Sequence, residues 1–287
     1  MKAIFTHELK SYFHSMTAYV FAAFLLCFVG LGAMIYNLEA AVSNFEYVLS
    51  FGCLVFVVIV PVLTMRVLAE EKRQRTDQLL YSLPVSTTEV ILGKYAALIV
   101  LYLIPLAVIS IYPLIFAQFG EVYLPTSYGS IFAFFLLGAA LLAVGMFISS
   151  LTENQGLAAG IGIAVILFNY YSVSLSEYVS SPALGSLIAL LVLICAVALI
   201  IKVLTGSGSL AYWVGMGLAA ALLVVYLVTG ESFEGLLPDI MSALSLFERF
   251  YVFVNGIFDL KAVVFYLSVI VFFLFLSVQS LEKRRYN

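Results

Sequence analysis

Of the 287 residues, 64% are hydrophobic and only 10% are charged, against roughly a quarter charged in an ordinary soluble domain. Such a chain has too little polar surface to cover itself in water, which excludes a soluble globular enzyme. The net charge of −3 implies no nucleic-acid partner, and the distribution of charge carries more information than its sum.

Apolar runs of about 20 residues match a hydrocarbon core roughly 30 Å thick at 1.5 Å of helix per residue. The expected fold is therefore an all-α integral membrane protein, a polytopic bundle of about eight transmembrane helices forming one transmembrane domain over 1–287. The expected spans are 18–36, 47–65, 95–116, 130–151, a shorter 156–173, then 183–201, 210–228 and 262–281. Cys27, Cys53 and Cys195 fall inside these runs and read as small hydrophobes.

Ahead of the first span, residues 2–16 place Phe5, Leu9, Tyr12, Phe13 and Met16 on one helical face and His7, Lys10 and His14 opposite. That spacing predicts an interfacial elbow helix on the inner membrane surface, over 1–16. The polar start is too long, and the first apolar run lacks a small-residue cleavage site, so no signal peptide is expected.

Lys2, Lys10, Arg66, Lys72, Arg73, Arg75, Lys94, Lys202 and the closing Lys283-Arg284-Arg285 share one side of an eight-span arrangement. Only Arg249 and Lys261 fall on the other. Basic loops stay in the cytoplasm, so both termini are expected there. A six-span arrangement lacking the 183–228 pair keeps the same bias.

Between spans 2 and 3, Arg66, Glu70, Glu71, Lys72, Arg73, Arg75 and Asp77 crowd one short stretch. At about 2.5 kcal/mol per charge at a membrane centre, burying them in lipid costs on the order of 18 kcal/mol. The 66–93 segment is thus expected as a cytoplasmic helix, with Leu79 and Leu80 packing back on the bilayer. Pro84 ends it, and a capping box of Ser86 and Glu89 starts the next helix.

Several strings now combine: Glu8-Leu9-Lys10-Ser11-Tyr12-Phe13, Ala18-Tyr19-Val20, Arg66-Val67-Leu68-Ala69-Glu70-Glu71-Lys72-Arg73, Leu83-Pro84-Val85-Ser86 and Gly93-Lys94. Together they resemble the type-2 ABC exporter (ABC-2-type) permease subunits, most closely the gliding-motility-type ones. The resemblance covers residues 1–173 and 245–287, with the intervening pair of spans departing from the usual six.

It implies that the elbow and the helix after span 2 rest on a separate ABC ATPase subunit, which binds ATP and Mg. Glu8, Glu70, Glu71, Arg73 and Thr76 would then form the coupling surface. It further implies pairing with a second copy or a related permease, and it is compatible with a subunit carrying an extracytoplasmic domain.

Further along, Thr152 and Gln155 suggest a second capping box, in a short cytoplasmic loop where Glu153 is a candidate minor contact. Gly156 with Gly160, and Gly145 with Ser149, are small-xxx-small steps expected at helix packing faces. Asn169 is a polar side chain deep in a span, expected to make a bundle hydrogen bond or to line a pathway. The 231–261 segment is too charged to span, yet Phe247, Phe250, Tyr251, Val254, Ile257 and Phe258 suggest interfacial helices on the outer face.

No phosphate loop, H-E-x-x-H or G-x-S-x-G occurs in the sequence. No catalytic residue, metal ligand set or cofactor is therefore expected in this chain. A membrane anchor for a motility or secretion complex, and a secondary transporter, remain the alternative functions.

Overall fold

The computed structural model describes residues 1–76, 85–178, 183–205, 207–228 and 233–286. Among these residues every regular element is helical. Six helices are long and apolar enough to cross a membrane, while 185–199 and 212–227 are shorter apolar stretches of two further helices. Each expected span thus lies on a helix.

Two compact units divide the chain, one of residues 1–170 with 249–285 and a second built on 171–248. The first opens with α1 (Lys2–His14), which ends at an extended Ser15. Next comes α2 (Met16–Ala33), continued by a π-helical turn, Met34–Glu39. Then follow α3 (Glu46–Thr64), the short α4 (Ala69–Gln74), α5 (Thr87–Ile109), α6 (Tyr112–Phe116) and α7 (Leu124–Leu151).

Helix α8 (Gln155–Tyr178) begins in the first unit and ends in the second. The second unit continues with α9 (Ala183–Thr205), α10 (Gly208–Val228) and α11 (Leu236–Leu244). There α9 packs on α10 and α11, and Tyr226 meets Phe233 edge-on at 5.3 Å. Helix α12 (Leu246–Val254) leads back to the first unit, which closes with α13 (Leu260–Tyr286).

Helices α3 and α7 form the centre of the first unit, and 89% of the most apolar window of α7 is buried, against 17% for α13. Close approach around α7 depends on missing side chains. A Cβ at Gly138 would lie 2.6 Å from the Tyr102 ring, and one at Gly145 would collide with Thr64. Tyr102 fills the first gap and donates its hydroxyl to the Phe134 carbonyl at 2.8 Å. Phe56 packs on Phe134 with ring centroids 4.6 Å apart, so two central helices join through aromatic contact as well as small residues.

The Gly156 and Gly160 step packs differently from the expectation. Among the described residues a Cβ on Gly160 would meet nothing within 4 Å, and one on Gly156 only Asn154 of its own turn. Within this chain the close approach of α8 is made at Gly162, whose missing Cβ leaves room for Pro61 of α3 at 3.0 Å. The expected Thr152 and Gln155 box is also replaced. Asn154 Oδ1 accepts the Gly156 and Leu157 N–H groups at 2.9 and 3.3 Å, an N-cap one residue before α8.

Among the described residues the 231–261 segment forms helices over Leu236–Leu244 and Leu246–Val254. Phe250 and Phe253 are buried at 0% and 2% exposure, whereas Ile257 and Phe258 are 60% and 61% exposed. The helix ends at Val254, so the period linking those last two positions to it is broken. Ser130 of α7 anchors the helix end by donating to the Phe253 carbonyl at 3.1 Å.

Candidate coupling site

The charged stretch after α3 folds into a tight turn and a helix of six residues, Ala69–Gln74, ended by Arg75 in the left-handed region at φ 57°. This helix is shorter than the sequence suggested. Asp77, Leu79, Leu80 and Pro84 lie outside the described residues. The start of α5 forms as expected, Ser86 Oγ accepting from Glu89 N at 3.2 Å and Glu89 reciprocating.

So short a helix cannot hold itself in place, and α7 supplies the support. Ser149 Oγ accepts the Leu68 and Ala69 N–H groups at 3.2 and 3.1 Å and donates to the Met65 carbonyl at 3.2 Å. That uses both lone pairs and the proton of one hydroxyl. Lys72 is buried and donates its ammonium to the Ser150 carbonyl, which also accepts from Ser280 of α13 at 2.9 Å. A cation suits the last carbonyls of α7, where the helix dipole is negative.

On the opposite side, Lys94 of α5 is 1% exposed and reaches two carboxylates. Its ammonium donates to Glu8 Oε1 of α1 at 2.6 Å, to Glu71 Oε1 of α4 at 2.7 Å and to the Val67 carbonyl at 3.3 Å. All three ammonium protons are thereby used. Ile4 of α1 lies against Gly93, where a Cβ would be 3.2 Å from its side chain, so α1 can lie close enough for Glu8 to reach Lys94.

Arg66 forks onto Glu70 at 2.8 and 3.2 Å and donates to Thr17 of α2 at 3.0 Å. Thr87 of α5 donates to Glu282 of α13 at 2.9 Å. Between α1 and α4 these groups leave a cleft of about 570 Å³, lined among others by His7, Glu8, Glu70, Glu71 and Thr76. Burial, reinforced by the nearby Glu8 and Glu71 carboxylates, pushes the Tyr12 phenol well above its ordinary value. It therefore remains neutral at the cleft wall.

The sequence treated the charges of this segment as solvated. Among the described residues Lys72 departs from that, being buried, while Glu70 and Glu71 are half-exposed in ion pairs and Arg73 and Arg75 are exposed. On α1, Tyr12 is buried and Ile4, Phe5, Glu8 and Leu9 are half-buried, while Phe13 and Met16 are exposed.

Of the candidate residues, Glu8, Glu70, Glu71 and Thr76 meet in the cleft. Arg73 is exposed at the tip of α4, and Glu153 is exposed in the turn between α7 and α8. Asn169 is half-buried with an interaction of its own. Lys94, Lys72 and Ser149 were missed as site residues. Lys94 carried a signal, a lysine opening an apolar run with only neutral residues around it.

Residues 35–230 match the family described as ABC-2 family transporter protein. The chain belongs to that ABC-2 family. The match runs through 183–228, the pair of helices that the sequence set apart, so the additional segment lies within the family's extent. This ABC-2 protein is a multi-pass membrane permease subunit of an ABC transporter, and the family implies an ABC ATPase as its partner. A search of curated proteins gave no match to the ABC-2 chain.

Proposed function

We propose that this permease couples ATP hydrolysis by a separate ATPase subunit to substrate movement across the membrane, outward, in a pair with a second copy or a related permease. Both termini are cytoplasmic in this proposal, which places the cleft between α1 and α4 on the ATPase side. The observation that carries it is the Lys94 junction. One buried ammonium joins the elbow helix, the α4 turn and the start of a long apolar helix, so a load on α4 is passed on to α1 and α5 rather than absorbed by a loose loop.

In this scheme Arg73, with Glu70 and Thr76 at the cleft rim, makes the contact with the ATPase. Glu8 and Glu71 hold the frame. ATP and Mg belong to the partner. The resemblance of the 66–73 and 83–86 strings to gliding-motility-type permeases extends the proposal to that subgroup, where a subunit with an extracytoplasmic domain is a further partner.

The test is reconstitution with the ABC ATPase that the family implies as its partner. Arg73→Ala is expected to leave insertion and thermal stability unchanged, since exposed substitutions shift stability by only about ±0.5 kcal/mol. It should weaken ATPase association by tenfold or more, as loss of a charged interface contact typically does. Full ATPase binding and full stimulation by the variant would refute the contact.

A further inference from the structure

At the end of the first unit opposite α4, the first turn of α3 holds a buried carboxylate that the coupling scheme leaves unexplained. Glu46 is 2% exposed. Its Oε1 accepts from Ser127 Oγ of α7 at 3.0 Å, but its Oε2 is buried with no hydrogen-bond partner among the described residues. An unsatisfied buried carboxyl oxygen of this kind is costly and rare, and each instance calls for a cause.

Glu46 lines a cavity of about 420 Å³ together with Ser43, Asn44, Glu121, Thr126 and Asn255. Among the described residues the lining includes two carboxylates and no Lys, Arg or His. Its neutral members supply amide and hydroxyl oxygens. Val254 and Asn255 bring in the C-terminal end of α12, where the dipole is negative and a cation is favoured.

We propose that this cavity binds a hard divalent cation, Ca²⁺, with Glu46 as its buried ligand and Glu121 as the second carboxylate. The chemistry selects the ion. The charged ligands are oxygens, with no thiol or imidazole in the lining, which disfavours zinc. A cavity with room for several waters beside the ion suits the flexible six-to-eight-oxygen shell of Ca²⁺, whereas Mg²⁺ demands a tight octahedron. Bound there, the ion joins the start of α3, the segment entering α7 and the turn after α12, three parts of the chain remote in sequence.

The test is equilibrium ⁴⁵Ca²⁺ binding to the full chain in nanodiscs of phosphatidylcholine alone, which removes anionic lipid as a source of sites. One ion per chain is expected, with affinity in the range of about 0.1–1 mM seen for exposed sites of low ligand charge. Glu46→Gln should abolish it. Glu121→Gln, at an exposed position whose change leaves folding intact, should weaken it at least tenfold, and Glu153→Gln at the other end of α7 should leave it unchanged. Absence of saturable binding up to ~10 mM, or saturable binding that survives both the Glu46 and Glu121 changes, would overturn the site. So would equal loss with Glu153→Gln.

Discussion

Replacing Lys94 by Met tests the frame of the candidate coupling site most directly. The side chain is 1% exposed and fully engaged, and its two carboxylate partners are 13% and 25% exposed. Methionine matches the stem but leaves Glu8 and Glu71 facing each other without a cation. Breaking a buried ion pair from one side costs about 3–5 kcal/mol, and part-exposure of the carboxylates places this case toward the lower end, about 3 kcal/mol.

The triple change Glu8→Gln, Glu71→Gln and Lys94→Met removes the mismatch as well as the attraction. Neutral replacement of buried charges is often close to neutral in stability, so the triple variant should recover most of the loss. Reversible unfolding in mixed micelles gives the stability order, and a disulfide trap between α1 and α4 reports whether the elbow has detached. A single variant that loses less than about 1 kcal/mol, or a triple variant no more stable than the single, would show that Lys94 does not hold this junction.

Ser149→Ala leaves two backbone donors and one carbonyl without their shared partner and should cost about 1–2 kcal/mol. Amide exchange at Leu68 and Ala69 should accelerate with it, and unchanged protection there would refute the capping role. Gly145→Ala forces a side chain against Thr64 and should cost about 1–3 kcal/mol, whereas Gly160→Ala enters open space and should stay within about ±0.5 kcal/mol. Equal effects in the two unfolding curves would contradict the packing described. Cysteines introduced at Glu177 and Glu234 are expected to react with an impermeant reagent from outside, and reaction from outside at Gly206 would refute the proposed eight-span orientation.

The helical segments were legible because lipid imposes one simple rule, that a span must be apolar over its full length. The Ser86 and Glu89 box was legible for a similar reason, both partners lying within one turn. What remained hidden depended on partners far along the chain. Nothing in the period of residues 2–14 indicates that Glu8 faces inward, since the ammonium that neutralises it arrives with α5.

The length of α4 was hidden in the same way, because the Ser149 hydroxyl that starts it belongs to α7. Asn154 outcompeted Thr152 as the cap by a local geometry that a four-residue pattern does not specify. Glu46 and Glu121 lie far apart in the sequence, and only the fold brings them to one cavity.

The serines of α7 sit at both of its ends. Ser149 and Ser150 grip the α4 turn and Lys72, while Ser127 and Ser130 hold Glu46 and the end of α12. The 28 residues of this helix span about 42 Å at 1.5 Å each, and its central position leaves it little room to bend. In the proposed coupling scheme it is a push rod with a fitting at each end: a shift applied to α4 along that axis is passed by this one helix to Ser127 and Ser130 and to the residues they hold.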